Sequence, residues 1–570
     1  MSNISCSTCK FLDSYRGKDF IGQWPTIDKL FRITVKRFAE RSCFTSFDPE
    51  DFTVTYREAL KLVDRIASYL QEKGVSKGDM VALTGKNTPE WAVSYLAILS
   101  AGGTVVPIDY QLEPERIAHL MEFAGVKALI VDEEKYENLL EKVGGLNLST
   151  VLSLSREKPD YVFDINPEVE KPEEAGTDEN DTAAILFTSG TTGNEKGVIL
   201  THGNFVSDVF LTQTLLGVSE KDIFYALLPL HHSYSMNAVF LQSISVGAEI
   251  VFAKGLVVKQ ILSDLKKGKV TMFLGIPLLF NKLLKAILKG IREKGTVIYG
   301  IVRFFMGVSG IIKKTVSINP GKFLFHSILK KASLDTVRIC ISGGGPLAPS
   351  TFRLFNQLGI DFVQGYGLTE TAPIAALNPV EKYKETSVGK IIPHVDVKIV
   401  DKDANGVGEI LIKGPIVTKG YYKSREETKE AFTEDGYFKT GDIGYLDSDN
   451  YLYLSGRKKS MIVTEGGKNV YPEEIEDHFQ FFEEIEQIAV KGYIKDKEMK
   501  VEGIEALVYP SSEYFKENRD ADAEKRIGEI IEEVNRELLP YQEIDKFTVL
   551  FEPMEMTTTK KIKRYKLKSN

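Results

Sequence analysis

The sequence predicts an α/β protein: doubly wound sheets plus a small β-barrel form a large N-terminal domain, and a small, mobile α+β C-terminal domain follows. Two observations predict this class. Over roughly the first 380 residues, short apolar runs alternate with helical patterns, and short β segments with glycine turns follow them. The length of 570 residues also exceeds what a single core usually serves. At least two domains are therefore expected.

One strand-helix-strand unit can be read in detail near the start of the chain. "DMVALTG" reads as a buried strand, Asn87 or Thr88 caps a helix with Pro89 in its first turn, and Gly102 and Gly103 end it before the strand "TVVPI". Similar apolar runs recur as "KALIVD", "AAILFT", "AEIVFA", "VTMFLGI" and "VRICIS". Parallel sheets covered by helices follow from this repetition. Their sites lie beyond the carboxyl ends of the strands.

The pattern changes from about Val395 onward. "VDVKIV", "GEILIKG" and "GYLDSDNYLYLSGR" indicate a small barrel or an antiparallel sheet, and the chain after Arg457 mixes strands with a charged helix. We therefore predict a large domain over residues 1–457, with sheets to about 394 and a barrel-like part at about 395–457, and a small domain over 458–570. Glycines 456, 466 and 467 bracket the join, so a hinge is expected at about Lys459.

Charge and cysteine content restrict the class of protein. A net charge of −8 argues against nucleic-acid binding, and four cysteines in so long a chain suit a reducing compartment rather than a disulfide scaffold. The N-terminus shows no basic start followed by an apolar block. We therefore expect a cytoplasmic protein.

The longest apolar run is "VIYGIVRFFMGVSGII", from Val297 to Ile312, with Arg303 inside it. It is shorter than the ~20 residues that span a bilayer. Its basic flanks, including Lys314, allow peripheral contact with a membrane surface. The alternative is a buried helix or the cover of an apolar pocket.

The stretch "FTSGTTGNEKGV", residues 187–198, follows one of the predicted strands and is rich in glycine and hydroxyl groups. Backbone N–H groups freed by glycine, together with hydroxyls and the ammonium of Lys196, suit a phosphate. The spacing differs from the common nucleotide-triphosphate loop, and a flexible polar turn is the alternative. "GGGPL" and "GYGLTE" follow two further predicted strands, so three loops are expected to converge.

Eight motifs occur in the order found in one known family: "ILFTSGTTGNEKGVILTHGN", "PLHHSY", "SGGGPL", "QGYGLTETAP", "YFKTGDIGYLD", "SGRKKSMI", "GGKNVYPEEIE" and "TKKIKR". On these motifs the chain resembles the adenylate-forming (AMP-binding) acyl-CoA synthetase superfamily, from about residue 54 to Arg564. The extra apolar and basic segment before "SGGGPL" resembles the long-chain fatty acid–CoA ligases.

The resemblance implies ATP, coenzyme A and Mg²⁺ as co-substrates and cofactor, and it assigns the residues that bind nucleotide. The β and γ phosphates would be held by Thr188, Ser189, Gly190, Thr191, Thr192, Gly193 and Lys196. The walls of the adenine site would be Gly343, Gly344, Gly345, Gln364, Gly365 and Tyr366. Glu195 stands where the family often has proline.

The family also suggests the catalytic residues. Glu370 would hold Mg²⁺ through a hard carboxylate oxygen and Thr369 would reach the α-phosphate; a helix start is the alternative for both. Asp442 would accept the two ribose hydroxyls, and Arg457 would contact ribose or phosphate. His232 would line the route between the nucleotide and acyl pockets. A turn, a surface ion pair and a core or capping histidine are the respective alternatives.

Two lysines of the small domain would act in different steps. Lys561 in the basic tail would bind carboxylate and α-phosphate during adenylation, although Lys560 beside it stays open for this role. Lys459 marks the hinge, and Gly467 would approach the bound thiol. Without the family, such a tail would suggest a nucleic-acid arm or a sorting signal.

The activity implied is ligation of a medium- or long-chain fatty acid to coenzyme A through an acyl-adenylate. Transfer to an acyl carrier protein, aryl acid ligation and a luciferase-like oxidase are alternatives within the superfamily. A non-catalytic nucleotide sensor is disfavoured because Glu370, Asp442, Lys459 and Lys561 are all present. The chain length of the acid and the oligomeric state do not follow from the sequence.

Overall fold

The computed structural model describes residues 24–189, 195–253, 255, 257–464, 468–480, 482–496, 501–518, 522–557 and 561–567. These residues form sheets of thirteen, six, three and two strands. Helices cover the two large sheets, and the predicted α/β class is confirmed.

The strands, numbered in chain order, are β1 Ser42–Ser46, β2 Phe52–Thr55, β3 Met80–Thr84, β4 Thr104–Ile108, β5 Ala128–Val131, β6 Thr150–Ser153, β7 Thr182–Ser189, β8 Glu195–Thr201, β9 Ile223–Ala226, β10 Glu249–Phe252, β11 Met272–Gly275, β12 Ile339–Ser342, β13 Asp361–Gly367, β14 Ile374–Leu377, β15 Gly389–Ile391, β16 Asp396–Val400, β17 Gly408–Lys413, β18 Phe438–Leu446, β19 Tyr451–Arg457, β20 Ile462–Val463, β21 Asn469–Val470, β22 Ile485–Asp496, β23 Val501–Pro510 and β24 Lys546–Val549.

The α-helices are α1 Ile27–Phe38, α2 Tyr56–Glu72, α3 Pro89–Ser100, α4 Pro114–Ala124, α5 Tyr136–Val143, α6 His202–Gln213, α7 Ser233–Ser235, α8 Gln242–Val246, α9 Val258–Lys267, α10 Pro277–Arg292, α11 Thr296–Val316, α12 Gly321–Leu324, α13 His326–Lys331, α14 Pro349–Gln357, α15 Arg425–Ala431, α16 Pro472–Asp477, α17 Ser512–Glu517 and α18 Ala523–Asn535. A π-helical turn, Met236–Leu241, joins α7 to α8, and short 3₁₀ turns lie at Thr369–Thr371 and Arg564–Lys566.

The six-stranded sheet has the order β6-β5-β3-β4-β7-β8 and is parallel except for the β7–β8 pair. Its first unit matches the prediction: the Thr88 hydroxyl accepts from Trp91 N, Pro89 opens α3, and the helix ends before Gly102. Gly102 has φ +90°, which favours glycine and allows the turn into β4. The chain therefore folds back onto the sheet after one helix.

The thirteen-stranded sheet has the order β16-β17-β18-β19-β15-β14-β13-β12-β11-β9-β10-β1-β2. Strand β13 pairs in parallel with β12 on one side and antiparallel with β14 on the other. The expected small β-barrel at about 395–457 is therefore corrected, because its strands β16–β19 belong to the large sheet. The antiparallel strands extend the large sheet through β14, so the second of the two predicted forms, an antiparallel sheet, is present.

The main core lies between the two large sheets. Trp91 and Tyr95 of α3 stack with ring centroids 5.5 Å apart, and Phe240 packs edge-on against both rings. All three side chains are buried. Because aromatic side chains bury large apolar areas, they contribute heavily to the stability of this layer.

The C-terminal part has its own core on the sheet β22-β23-β24. Ile475 of α16 and Ile527, Ile530 and Ile531 of α18 are buried against it. The side-chain oxygen of Gln480 accepts from Asn281 Nδ2 (2.9 Å) and from Ala348 N (3.2 Å), both in the larger part of the chain. These hydrogen bonds hold the C-terminal part against the starts of α10 and α14.

The apolar run 297–312 lies in α11, whose outer face is exposed. The alternative of a buried helix is therefore wrong, because only Met306, Ser309 and Lys313 of α11 are buried. Among the described residues, α11 is the one helix long and apolar enough to cross a membrane, with 17% of its most apolar window buried.

Candidate active site

The predicted site loops lie on two different sheets and are joined by the segment 418–422. Thr418 N donates to Glu370 O (2.8 Å), and the Thr418 hydroxyl donates to Ile199 O of β8 (2.6 Å). Tyr421 forms a β-bridge with Val198 of the same strand. The segment therefore fixes the strand that follows the phosphate-type loop against the "GYGLTE" turn.

Glu370 lies at the centre of this junction. Its Oε1 accepts from the Tyr421 hydroxyl (3.0 Å), and burial is the main cause that raises its pKa, opposed by hydrogen bonds and by the Arg457 cation. Lys196 Nζ lies 4.8 Å from the centroid of the Tyr421 ring and 2.9 Å from Glu427 Oε1. An anion placed here would meet a cation on one side and a carboxylate suited to Mg²⁺ on the other.

The site fits Mg²⁺ in its donor chemistry. Glu370 supplies hard oxygen, and one carboxylate is enough when phosphates and water complete an octahedral shell, as this ion prefers. A bound cation would also offset the cost of holding this carboxylate in a partly buried position, since burial raises its pKa. Glu370 is therefore the residue that would hold the metal.

Asp442 lies in a second cluster, in register with Arg457 on the paired strands β18 and β19. Its Oδ2 accepts from the Tyr366 hydroxyl (2.8 Å), and its Oδ1 lies 3.0 Å from Arg457 Nε. Burial, and then the Asp442 charge, raise the pKa of Tyr366. The Asp442 charge is also the main cause that raises the pKa of Arg457. A buried carboxylate held between a phenol and a guanidinium has a fixed orientation, and its remaining lone pairs can accept hydrogen bonds from the hydroxyl groups of a ligand.

Two adjacent imidazoles stand at a third side of the site. The ring centroids of His231 and His232 are 4.3 Å apart, and His231 Nε2 lies 3.6 Å from Asp109 Oδ1. Burial lowers the pKa of both histidines to about 3, so both are neutral at pH 7. Next to them the Ser233 hydroxyl lies 3.2 Å from the Thr369 hydroxyl. Neutral imidazoles can donate and accept without adding charge.

The glycines after β12 allow a close approach of an aromatic ring. A Cβ added to Gly343 would lie 2.9 Å from Cζ of Tyr234, so a side chain there would clash with the ring. The Tyr234 hydroxyl donates to Ile341 O (3.1 Å). Gly344 and Gly345 face Ile276 and Pro277 at the start of α10. The absence of side chains at these glycines allows Tyr234, Ile276 and Pro277 to approach the backbone.

The neighbouring strand β13 carries the other predicted adenine wall. Gln364 is buried and pairs with Ser342 across the strands, while Gly365 packs beside Leu377. The two walls therefore lie on adjacent strands.

The C-terminal tail brings Lys561 towards the cluster of Asp442 and Arg457 and towards His232. Arg457 and Asp442 act on its ammonium, and Lys561 in turn lowers the pKa of His232. Lys561 keeps solvent access, yet the surrounding protein and then the Arg457 cation lower its pKa to about 8, while Asp442 opposes this. Of the tail residues that the structure describes, Lys561 is thus a lysine within electrostatic range of Asp442 and Arg457.

The tail is held in two ways. Thr557 N donates to Lys561 O (2.7 Å) and Lys561 N to Thr557 Oγ1 (3.1 Å), which closes a tight loop. Arg564 donates to both carboxylate oxygens of Glu476 (2.8 and 2.6 Å) and to Val490 O (2.9 Å). Arg564 Nη2 contacts both oxygens of Glu476 while Nη1 donates to Val490 O, and these charge-assisted hydrogen bonds hold the loop that carries Lys561.

Some predicted residues lie outside the described part of the chain: Gly190, Thr191, Thr192, Gly193, Gly467 and Lys560, and the side chain of Ser189. Of the phosphate-type loop, Thr188 and Lys196 are described, and they face each other across β7 and β8. Glu195, the departure from the family, pairs with Arg116 at 2.9 Å. Lys459 is exposed just after β19.

Sequence reasoning missed Tyr421, Tyr234, Asp109 and Arg564. Tyr421 and Tyr234 belong to tyrosine-bearing loops, "KGYYKS" and "HHSYSM", that adjoin glycine or histidine motifs. Asp109 follows directly on the strand "TVVPI", where site residues are expected in parallel sheets. The positions of Tyr421, Tyr234 and Asp109 in the sequence could therefore have identified them as candidate site residues. The pairing of Arg564 with Glu476 depends on tertiary contact alone.

Comparison with known proteins finds one matching family model and several similar proteins. The family model of the AMP-binding enzyme matches residues 31–422. A 2-succinylbenzoate–CoA ligase of Listeria monocytogenes is 30% identical over 446 residues, covering 78% of this chain and 81% of the relative. A long-chain-fatty-acid–CoA ligase of Mycobacterium bovis is 30% identical over 469 residues, covering 78% and 76%.

Solved structures share the fold. An anthranilate CoA ligase bound to anthranoyl-AMP superposes with a TM-score of 0.78 at 21% identity, covering 96% of this chain and 97% of that one. The o-succinylbenzoate CoA synthetase of Bacillus subtilis, bound to its acyl-adenylate, gives 0.76 at 24% identity, covering 96% and 99%.

Proposed function

The chain belongs to the AMP-binding enzyme family, and from that premise we propose that it ligates a medium- or long-chain fatty acid to the thiol of coenzyme A. The coarser activity, adenylate-forming acyl-CoA ligation, is common to its acyl-CoA ligase relatives. The assignment of the two steps is supported by one observation: Lys561 lies within electrostatic range of Asp442, Arg457 and His232.

The first step is attack of the fatty acid carboxylate on the α-phosphate of ATP, with pyrophosphate as leaving group. Lys561 neutralises both anions as they meet, and Thr369 donates to the α-phosphate. Asp442 accepts the ribose hydroxyls, and Lys196 with the loop 188–193 binds the β and γ phosphates. Mg²⁺ held by Glu370 would screen the phosphate charge. Donors placed in advance lower the barrier because they need no reorganisation.

The second step is attack of the coenzyme A thiol on the acyl carbonyl, which releases AMP. Lys561 has to leave the site for the thiol to approach. We propose that the chain rotates at Lys459, and that the loop around Gly467 then lines the thiol path. His232, neutral beside the route between the two pockets, would orient the carbonyl.

A fatty acid rather than an aryl acid is supported by a relative and by the surface. The Mycobacterium bovis relative acts on long-chain fatty acids by its name, whereas the Listeria relative acts on 2-succinylbenzoate. This chain also carries the exposed apolar helix α11 beside α10, which starts at the glycine wall. An acid that partitions into membranes suits this neighbourhood.

The test is AMP release with acids of graded length and 2-succinylbenzoate, with coenzyme A as acceptor. Fatty acids of medium or long chain should give the highest kcat/KM. A clear preference for the aryl acid would overturn the substrate assignment, and replacement of coenzyme A by an acyl carrier protein tests the acceptor. Oxygen uptake on adding ATP and fatty acid would identify a luciferase-like oxidase.

We also propose a cytoplasmic location. Four cysteines in 570 residues suit a reducing compartment. Fractionation of cells that express a tagged chain tests this, and secretion of the chain would contradict it.

A further inference from the structure

The outer face of α11 and the segment after it form one apolar surface. On α11, Val297 is 74% exposed and Phe304 is 67% exposed, and Ile298, Ile301, Phe305 and Ile311 are exposed beside them. Ile318 and the α12 residues Phe323 (87%) and Leu324 continue the surface. We call these nine residues the α11–α12 surface. An exposed apolar patch of this kind marks an interaction site, because scattered single residues are the norm on a monomer.

The inner face of α11 is fixed to the rest of the fold. Lys313 is buried, and its Nζ lies 2.6 Å from Asp361 Oδ1 and 2.7 Å from Asn356 Oδ1. Met306 packs into the core below, and a Cβ on Gly310 would lie 2.8 Å from Cγ of Gln357. Helix α11 is therefore held lengthwise along α14, and only its outer face is available.

The charge around this surface differs from that of the whole chain. Residues 281–331 contain eleven lysines and arginines and one acidic residue, Glu293, whereas the chain carries a net charge of −8. Arg292, Lys294, Lys314, Lys322, Lys330 and Lys331 are exposed. In the described residues only Lys314 of these six has an ion pair, with Glu385 at 3.7 Å. Basic side chains close to an apolar face are the combination that anionic lipid surfaces attract.

We propose that the α11–α12 surface inserts side-on into the interface of a bilayer that contains anionic phospholipid, with the basic residues among the headgroups. Phe304, Phe323 and Ile311 enter the acyl boundary. The length of α11 would allow it to cross, but crossing would separate Lys313 from Asp361 and Asn356. The chain is thus bound to one leaflet and does not span the bilayer.

The surface is connected to the candidate site by one helix. Helix α10 begins at Pro277, beside Gly345, and ends at Arg292, four residues before α11. Sixteen helical residues cover about 24 Å. An acid taken from the bilayer would therefore enter close to the glycine wall. This use in substrate supply rests on the proposed function, whereas the binding itself does not.

The experiment is vesicle flotation of the full chain without substrates, on phosphatidylcholine alone and on phosphatidylcholine with phosphatidylglycerol. We expect binding to the anionic vesicles, at least tenfold weaker binding to the neutral ones, and loss on raising salt. The variant Phe304→Ser/Ile311→Ser should lose binding at least tenfold. Phe551→Ser is its control, because Phe551 is 98% exposed in the C-terminal part.

The contribution of the basic residues is tested with the variant Lys322→Glu/Lys330→Glu/Lys331→Glu. Its control, Lys402→Glu/Lys516→Glu/Lys525→Glu, makes the same change in net charge at exposed lysines elsewhere. Only the first should weaken binding to anionic vesicles. Thermal melting verifies that each variant is folded, and a variant that fails is replaced by Phe323→Ser, on the short helix α12.

Three results would overturn the proposal. The first is that folded wild-type chain floats with neither vesicle, and the second is that all variants and controls bind equally. The third is a dimer in sedimentation that Phe304→Ser/Ile311→Ser abolishes, which would make the surface an interface between two copies. The AMP-release assay is independent of these outcomes, so failure of membrane binding and failure of the proposed ligase activity are distinguishable.

Discussion

The pKa of the Lys561 ammonium is subject to opposing influences. Surrounding protein and the Arg457 cation lower its pKa to about 8, and Asp442 raises it. Glu370 shows the converse, because burial raises its pKa while Tyr421 and Arg457 lower it. Perturbed groups of opposite charge in one cleft are typical of functional sites. Both residues are testable one at a time.

The first prediction concerns the pH dependence of adenylation. The ammonium of Lys561 is lost as pH rises through about 8, so kcat/KM for adenylation, which reports the free enzyme, should fall above that pH. Lys561→Arg keeps its charge and should move this fall to higher pH at a reduced rate. Pyrophosphate exchange across pH 6–10 measures both. An unchanged fall in Lys561→Arg would assign the titration to another group.

The second prediction is that Glu370→Gln lowers pyrophosphate exchange by about 10²-fold, the order expected when one preorganised electrostatic contact is removed. The amide oxygen can still accept from Tyr421, so the melting temperature should stay the same. Conversion of supplied acyl-adenylate and coenzyme A to thioester is the control and should persist. A much lower melting temperature would mean that Glu370 mainly stabilises the turn.

At the scale of elements, α11 shows how one ion pair fixes a helix whose outer face is apolar. Its contacts run along Met306, Ser309 and Lys313, spaced three to four residues apart on one side. Lys313 reaches Asp361 at the start of β13 and Asn356 of α14. The helix is therefore tied to the strand that carries Gln364 and Tyr366.

The third prediction is that Lys313→Ala lowers the free energy of unfolding by about 1–3 kcal/mol, because it removes the buried lysine from Asn356 and Asp361, while Asp361 keeps Asn319 and partial contact with solvent. Lys314→Ala is the matched control, since Lys314 is exposed, and should change it by less than about 0.5 kcal/mol. Urea unfolding followed by circular dichroism measures both. Equal effects of the two variants would show that the Lys313 pair adds nothing to stability.

At the scale of the whole molecule, the structure shows one arrangement of the C-terminal part. Gln480 joins it to Asn281 and Ala348, and Lys561 lies within electrostatic range of Asp442 and Arg457. Adenylation needs this cation in a closed site, while thioester formation needs it withdrawn. One rigid arrangement would not serve both steps, and we therefore propose that the C-terminal part rotates at Lys459 between them.

The fourth prediction separates the two steps. Lys561→Ala should abolish acyl-adenylate formation and keep the conversion of supplied acyl-adenylate to thioester. Lys459→Pro should do the reverse, because a fixed φ hampers rotation. Each half-reaction is measured separately, by pyrophosphate exchange and by thioester formation. Equal loss of both half-reactions in both variants would contradict alternation.

The fifth prediction tests the arrangement itself. Gln480→Ala removes the acceptor for Asn281 and Ala348 and should weaken the docking seen here, so that adenylation falls several-fold while thioester formation is kept. Gln542→Ala is a control, because Gln542 hydrogen-bonds Glu474 within the C-terminal part. Similar losses in adenylation by both variants would argue that Gln480 has no special part in docking.

The sequence by itself determined the elements and the family. Thr88, Pro89 and Gly102 bound α3 through local chemistry, and apolar runs become buried parallel strands because both faces of such sheets are covered. The motifs likewise indicated the AMP-binding family, since glycine, hydroxyl and lysine spacing is local.

Only the tertiary structure decided contacts between distant segments. It joined β14 to β13 in place of a separate barrel, brought Tyr421 to Glu370, paired Arg564 with Glu476, and exposed the outer face of α11. Apolar periodicity shows that a helix has an apolar face but not what covers it. Packing between elements far apart in the chain determines that, because burial is a property of the whole fold.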